Sequence, residues 1–269
     1  MPNERQRVIV GVLALQGAFA EHLQHLSLVA AAHPELGVEP RLIRTTEQLS
    51  ACHGLILPGG ESTTMSLIAD RMGMLEPLRR FARSCKGPDA QKAIWGTCAG
   101  MILLSDHVVQ ASTKEGGQQG LTGLAISIVR NQWGRQTESF EYPLTIAGIT
   151  QPELPFPGIF IRAPVVHTLL APKSDSQHLA TGSDSVHVLS EIEWSLLPQP
   201  RRTQSSKAHQ PDDNSRTGDS RLLPLGPDAN VVALRQERIL ATAFHPELTR
   251  DSRLHEYFVR ELVLEQGKL

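Results

Sequence analysis

The run Trp95-Gly96-Thr97-Cys98-Ala99-Gly100 narrows the possible folds of this chain more than any other stretch, because it sets one cysteine among small residues where a strand should turn sharply into a helix. In a G-x-S-x-G elbow the glycines let the backbone take a strained turn. The nucleophile then stands proud of the sheet, and the next N–H faces a developing oxyanion. Gly96-Thr97-Cys98-Ala99-Gly100 has that pattern with sulfur in place of oxygen. Downstream, Phe244-His245-Pro246-Glu247 supplies an imidazole and a carboxylate two residues apart. In an extended segment residues i and i+2 point to one side, so Glu247 can orient His245 while Pro246 stiffens the pair. A lone cysteine is usually a small buried hydrophobe, and a lone histidine a satisfied or solvated side chain. Elbow, His-x-Glu pair and an upstream glycine-rich turn together point instead to a Cys98–His245–Glu247 triad.

That turn is Leu55-Ile56-Leu57-Pro58-Gly59-Gly60-Glu61-Ser62-Thr63-Thr64. An apolar run ends at Pro-Gly-Gly, and a Ser/Thr cluster opens an amphipathic stretch through Met65, Ile68, Met72 and Leu75, which reads as strand, tight loop and helix N-terminus. Glycines there allow backbone N–H groups to approach an anion or oxyanion, although a plain βα turn with an N-cap explains the same residues. No G-x-x-x-x-G-K-[ST] phosphate loop occurs around it.

β-type and helical segments alternate along the chain. Val8–Leu15 is a continuous apolar run suited to a buried parallel strand, followed by a helix over Ala20–Ala32 with Leu23, Leu26 and Ala30 at helical spacing. Leu55–Leu57 and Ala93–Trp95 are two further strands. All three lead into loops at carboxyl ends, where ligands bind in open α/β sheets. Residues 121–167 carry shorter β-type runs at Leu124–Arg130, Leu144–Ile149 and Ile159–Ile161; Val231–Leu234 and Ile239–Ala243 form a closing hairpin, and a last helix covers Ser252–Glu265. The expectation is one α/β domain over residues 1–269: three-layer, flavodoxin-like, with a mixed, mostly parallel sheet.

Composition adds exclusions. With 40% hydrophobic and 20% charged residues, the 269-residue chain can bury one good core. A net charge of −2 advertises neither nucleic acid nor an anionic membrane as a partner. The polar start Met1–Arg7 and the short apolar stretch after it fit neither a spanning helix nor a signal peptide, so a cytoplasmic protein is expected. Cys52, Cys85 and Cys98 are odd in number and lack metal-ligand spacing, which favours free thiols, with no metal or cofactor.

The chain resembles the glutaminase subunits of pyridoxal 5′-phosphate synthase, a family within the class I (triad) glutamine amidotransferases. The resemblance rests on Gly11–Gly17 with Glu21-His22, Leu57–Met65, Gly96–Gly100, Val129-Arg130-Asn131 with Gly134-Arg135-Gln136 and Ser139-Phe140-Glu141, Phe160–Pro164, and Phe244–Thr249. Elbow and His-x-Glu pair are shared across class I, whereas the PGGEST, RN…GRQ…SFE and FIRAP motifs are specific to this family. The resemblance implies hydrolysis of L-glutamine to glutamate and ammonia, with ammonia channelled to a (β/α)8-barrel synthase subunit. Gly59, Gly60, Glu61, Arg130, Ile161 and Arg162 map to the family's glutamine-binding positions. Arginine suits an α-carboxylate and Glu61 an α-ammonium, while the N–H groups of Gly60 and Ala99 would hold the oxyanion. Gln16 should sit near the Gly59-Gly60 loop, and the docking face should carry the elbow, that loop, Gln16 and His22. Two alternatives are the glutaminase subunit of another synthase, such as the histidine-pathway enzyme, and a non-catalytic regulatory homologue; the family-specific motifs argue against the first and the intact triad against the second.

One stretch departs from the family pattern. Residues 199–220 contain no Ile, Leu, Val, Met or aromatic residue. Such a segment cannot offset its own ordering entropy, so a disordered insertion over about 199–228 is expected. Smaller additions fall at Cys85–Gln91 and Leu170–Ser183.

Overall fold

The computed structural model describes residues 7–109, 120–130, 139–174, 185–197 and 224–265. Its first half alternates strand and helix: Val8–Leu13 (β1), Phe19–Ala32 (α1), Val38–Ile43 (β2), Thr46–Ser50 (α2), Gly54–Leu57 (β3), Ser62–Arg71 (α3), Leu75–Arg83 (α4), Ala93–Thr97 (β4) and Ala99–Leu104 (α5). β3 and β4 are buried at every position. That is the environment of a central parallel strand covered on both faces, and it explains why neither shows polar alternation.

The chain then continues through Ser105–Val109 (β5), Leu124–Val129 (β6), Phe140–Leu144 (β7), Phe156–Phe160 (β8), Val165–Leu169 (β9), Lys173–Ser174 (β10), Val186–Glu191 (β11), Val231–Gln236 (β12) and Ile239–Thr242 (β13), ending in Arg253–Tyr257 (α6) and a π-helical continuation, Phe258–Val263. Among the described residues the main sheet runs β10-β11-β12-β13-β4-β3-β1-β2. Pairing is parallel from β13 through β4, β3 and β1 to β2, and antiparallel at β12–β13 and β11–β12. The sheet is therefore mixed and mostly parallel, as expected. Strand order reverses direction after β2. Right-handed crossovers then put α1 on one face and the helices between β2, β3 and β4 on the other. The contacts agree: α1 packs with α6, whereas α4 packs with α2 and α3, and α3 with α5. Three layers result.

Several expectations are corrected. The β-type runs of 121–167 lie outside the main sheet: β6 and β9 join β5 in a three-stranded sheet, and β7 and β8 form a hairpin. The run Leu144–Ile149 is not a strand. β7 ends at Leu144, and the chain turns at Gly148, whose φ is +83°, with Ile146 and Ile149 buried as anchors of the turn. β8 lies earlier than the run Ile159–Ile161 and stops before Ile161. The buried face of α1 is His22, His25, Leu26 and Val29, rotated from the Leu23–Leu26–Ala30 face read from hydrophobicity. Of the expected insertion, 199–223 lies outside the described residues, while 224–228 belongs to the fold: Leu169 donates its N–H to Asp228 Oδ2 at 2.8 Å, and Gly226 lies against the His167 backbone. Residues 131–138 and 175–184, which hold Asn131, the Gly134-Arg135-Gln136 motif and part of the Leu170–Ser183 addition, are also outside the described residues. No helix among the described residues is long and apolar enough to cross a membrane.

Candidate active site

Four neighbouring parallel strands deliver the candidate residues at their carboxyl ends: β1 leads to Gln16, β3 to Gly59-Gly60, β4 to Cys98 and β13 to His245. Cys98 is the elbow residue, with φ 46° and ψ −99°. A non-glycine residue in such a sparsely populated region costs roughly 1–3 kcal/mol and persists only where the surroundings over-determine it. Here they do. Cys98 N–H donates to Thr242 O on β13 at 2.8 Å, and Ile102 N–H returns to Cys98 O at 3.2 Å. A side chain on Gly96 would strike the Gly100 backbone, and one on Gly100 the Leu57 carbonyl of β3. The two glycines thus let the turn close onto the sheet.

His245 meets Glu247 by a different route from the extended one expected. Pro246–Leu248 is a single 3-10 turn with proline in its first position, and His245 itself has φ −108° and ψ 83°. The fixed φ of Pro246 favours this turn. His245 N–H is tied to Ile159 O at 2.8 Å, and His245 Nδ1 lies 2.8 Å from Glu247 Oε1. Burial alone would lower the imidazole pKa; hydrogen bonds and charge attraction from Cys98 and Glu247 outweigh it and raise the value to about 10. Burial likewise pushes the Glu247 carboxyl up, but the histidines beside it, His22 and His245, bring it below its ordinary value. An imidazolium between a sulfur and an ionised carboxylate is the arrangement a cysteine nucleophile requires.

Cys98 and His245 open into a cavity of about 240 Å³ together with Gly60, Glu61, Arg130, Ile161 and Arg162, all singled out from sequence; Ser62 and Ile102 complete it. A larger groove, about 470 Å³, lies between α2 and α4 and holds none of these residues. Gly59 stands behind the cavity against the imidazole, and a Cβ there would fall 2.5 Å from His245 Cε1. Ala99 is the first residue of α5, so its N–H is one of the helix-end donors without an intrahelical partner. Glu61 does something hydrophobicity does not show. Its carboxylate caps α3, accepting from Thr63 N–H at 3.1 Å, Thr64 N–H at 2.6 Å and Thr64 Oγ1–H at 2.7 Å. Burial raises its pKa, and these donors bring it below the ordinary range. Arg130 donates to Thr63 Oγ1 at 3.3 Å, and Arg162 sits at φ 47° next to Ile161. Gln16 sits beside the glycine loop as expected, and its Oε1 accepts Glu61 N–H at 2.9 Å.

His22 is not on a docking face. It is wholly buried behind the triad, with Nε2 3.2 Å from Thr97 Oγ1 and 3.4 Å from Glu247 Oε2, and Nδ1 2.9 Å from His255 Nε2. His25 and His255 extend the cluster. His22 and His25 are three apart on α1, a helical spacing, but a histidine-bearing face does not register as apolar, which hid it from the hydrophobic pattern. Cys52, Cys85 and Cys98 are all free thiols; burial pushes Cys52 up to about 11 and raises Cys85 further.

Comparison with known proteins bears on all of this. A family model described as the SNO glutamine amidotransferase family matches residues 12–191 and 214–264. The chain is 38% identical over 262 residues to the probable pyridoxal 5′-phosphate synthase subunit PDX2 of Arabidopsis thaliana, covering 96% of this chain and 88% of that one. It is 39% identical over 251 residues to the pyridoxal 5′-phosphate synthase subunit PdxT of Deinococcus radiodurans, covering 93% and 95%. A crystal structure of a glutamine amidotransferase superposes with a TM-score of 0.62 at 34% identity, covering 94% of this chain and 98% of that one.

Proposed function

This chain belongs to the SNO glutamine amidotransferase family, and we propose that it is the glutaminase subunit of a pyridoxal 5′-phosphate synthase, with Cys98, His245 and Glu247 as its catalytic triad. The observation that carries the reading is the alignment of a strained, buried cysteine, an imidazole of raised pKa and an ionised carboxylate, opening into a cavity with two arginines.

Glutamine's side-chain amide is a poor electrophile, and a covalent route divides its hydrolysis into two easier steps. Cys98 gives its proton to His245 and attacks the amide carbon. The tetrahedral oxyanion is held by the N–H groups of Ala99 and Gly60, each worth ~3 kcal/mol in sites of this kind. His245 then protonates the departing ammonia, leaving a thioester on Cys98. Water, deprotonated by His245, attacks the thioester and releases glutamate. Glu247 holds the Nδ1–H tautomer throughout and stabilises the imidazolium. Arg130 and Arg162 bind the α-carboxylate, Ile161 lies along the substrate, and the negative charge of Glu61 favours the α-ammonium, with Gly59 leaving the loop close to the imidazole.

Ammonia at neutral pH is mostly protonated and lost to solvent, so the glutaminase gains by working only when docked on its acceptor. The acceptor in this reading is a (β/α)8-barrel synthase subunit that meets the face carrying the elbow, the Gly59-Gly60 loop and Gln16. The cytoplasm is the compartment that suits three free thiols. The test is glutamate release by the whole chain, alone and with saturating synthase. Cys98→Ala is expected to release none, and hydrolysis retained by that variant would overturn the triad. Equal rates with and without synthase, where sedimentation confirms the complex, would refute activation by docking.

A further inference from the structure

Glu247 spends only one oxygen on His245. Its Oε2 is enclosed and has no hydrogen-bond partner within ordinary reach among the described residues, and His22 Nε2 stands 3.4 Å away. A buried carboxylate with a bare oxygen is costly, and the ring facing it is held firmly. His22 lies edge-on to Trp95 at 5.6 Å, its Nδ1 contacts His255 Nε2, His255 stacks on His25 at 4.5 Å, and His25 Nδ1 is 2.8 Å from Ser252 Oγ.

Two proton arrangements are open to this cluster, and they differ in cost. If His22 carries its proton on Nδ1, it donates to His255; the Nε2 lone pair can then accept from Thr97 Oγ1–H but sits 3.4 Å from an anionic oxygen, and His255 must bury an Nδ1–H that has no partner among the described residues. If His22 carries the proton on Nε2, the N–H donates to Thr97 Oγ1 at 3.2 Å with Glu247 Oε2 3.4 Å from the same nitrogen, close enough to draw the dipole's positive end, and Nδ1 accepts from His255 Nε2–H. The unpartnered His255 Nδ1 is then a bare lone pair rather than a stranded donor. An unmade donor costs more than an under-used acceptor.

We propose that His22, as the neutral Nε2–H tautomer, is a positioning residue for glutamine hydrolysis: it directs its N–H at Glu247 Oε2 and thereby keeps that carboxylate ionised, with Oε1 on His245. The inference rests on the triad reading above. Burial holds His22 down to about 4, so it stays neutral over the working pH range, although Glu247 and Glu21 pull upward and His25 and His245 push further down. His255 is likewise held well below its ordinary value by burial and by His22 and His25. His22 and His255 thus add no positive charge to the triad; what His22 adds is an oriented dipole.

The test is steady-state kinetics of the full chain, with and without synthase, on His22→Leu and His22→Gln. Leucine fills the space without a donor, whereas the terminal amide of glutamine can reach the place of His Nε2. Expected for His22→Leu is a kcat lower by about tenfold, the loss typical of one hydrogen bond to a charged group. Its KM for glutamine should stay within about twofold, and the acid limb of its kcat/KM profile should move up by about one pH unit as Glu247 protonates more readily. His22→Gln should recover most of both changes. Wild-type kcat and acid limb in His22→Leu would overturn the proposal, as would a His22→Gln enzyme as slow as His22→Leu with an unmoved acid limb. Should His22→Leu fail to fold, nitrogen NMR of the unmodified chain decides: a protonated Nε2 on His22 supports the assignment and a protonated Nδ1 refutes it. Cys98→Ala runs alongside. A fully active Cys98→Ala would fail the triad itself, whereas an inert Cys98→Ala beside an unaffected His22→Leu would fail this inference alone.

Discussion

Gly59→Ala should silence the enzyme without unfolding it. A Cβ at Gly59 would stand 2.5 Å from His245 Cε1, 2.6 Å from Nδ1 and 3.1 Å from Glu247 Oε1. Non-bonded carbon atoms settle at ~3.5–4.0 Å, so the imidazole must retreat by about 1 Å. It has little freedom to do so, because its backbone N–H is tied to Ile159 O and its Nδ1 to Glu247. Overpacking of this kind costs ~1–3 kcal/mol, which in a chain of this size lowers the melting temperature by only a few degrees. The activity loss is larger, since a ~1 Å misplacement of a reacting group is worth on the order of 10²-fold. Gly73→Ala is the control: nothing lies within 4 Å of a Cβ there, so its φ of +67° costs a little stability and no activity. The assay is glutamate release at saturating glutamine for both variants, paired with thermal melts. A Gly59→Ala enzyme with undiminished kcat, or a Gly73→Ala enzyme as impaired as Gly59→Ala, would refute the argument that loop-to-imidazole packing sets the geometry.

The His245 imidazole, raised from 6.5 to about 10, contributes stability that is fully present below about pH 6.5 and is lost as pH rises through about 10. Denaturation midpoints should therefore fall over that window, and less steeply in Cys98→Ala, which lacks one of the partners that raise the pKa; identical slopes would contradict this. An electrophilic glutamine analogue should label Cys98 alone, because burial keeps the Cys52 and Cys85 thiols protonated; mass spectrometry finding label at Cys52 or Cys85 with Cys98 untouched would sink the assignment. Removing residues 199–220 and bridging with a short glycine-rich link should move the melting temperature little, since closure entropy grows slowly with loop length. Loss of folded protein or of most glutaminase activity would show that the segment has a structural or functional role.

The elbow, the glycine turn and the closing hairpin were legible in the sequence because each is a local matter. Gly96 and Gly100 occupy places where a side chain would collide within a few residues or across one strand, and continuous apolar runs such as Leu55–Leu57 have only one comfortable home, the middle of a covered parallel sheet. Local reasoning of this kind singled out Cys98 and His245, the family resemblance added Arg130, Ile161 and Arg162, and the cavity gathers all five. Other features depend on distant parts of the chain. Ile146 and Ile149 are as apolar as strand residues, yet they anchor a turn, because what decides between the two is whether a sheet edge is at hand, and Gly148 bends the chain away. His245 reaches Glu247 through a 3-10 turn rather than an extended one, since tethering to Ile159 on a satellite strand sets the approach. His22 is the clearest case. Nothing within α1 says that its ring meets Glu247, a residue more than two hundred positions away; only the packing of α1 against α6 and the end of β13 encloses that pair and makes a polar side chain on a helix face part of the core.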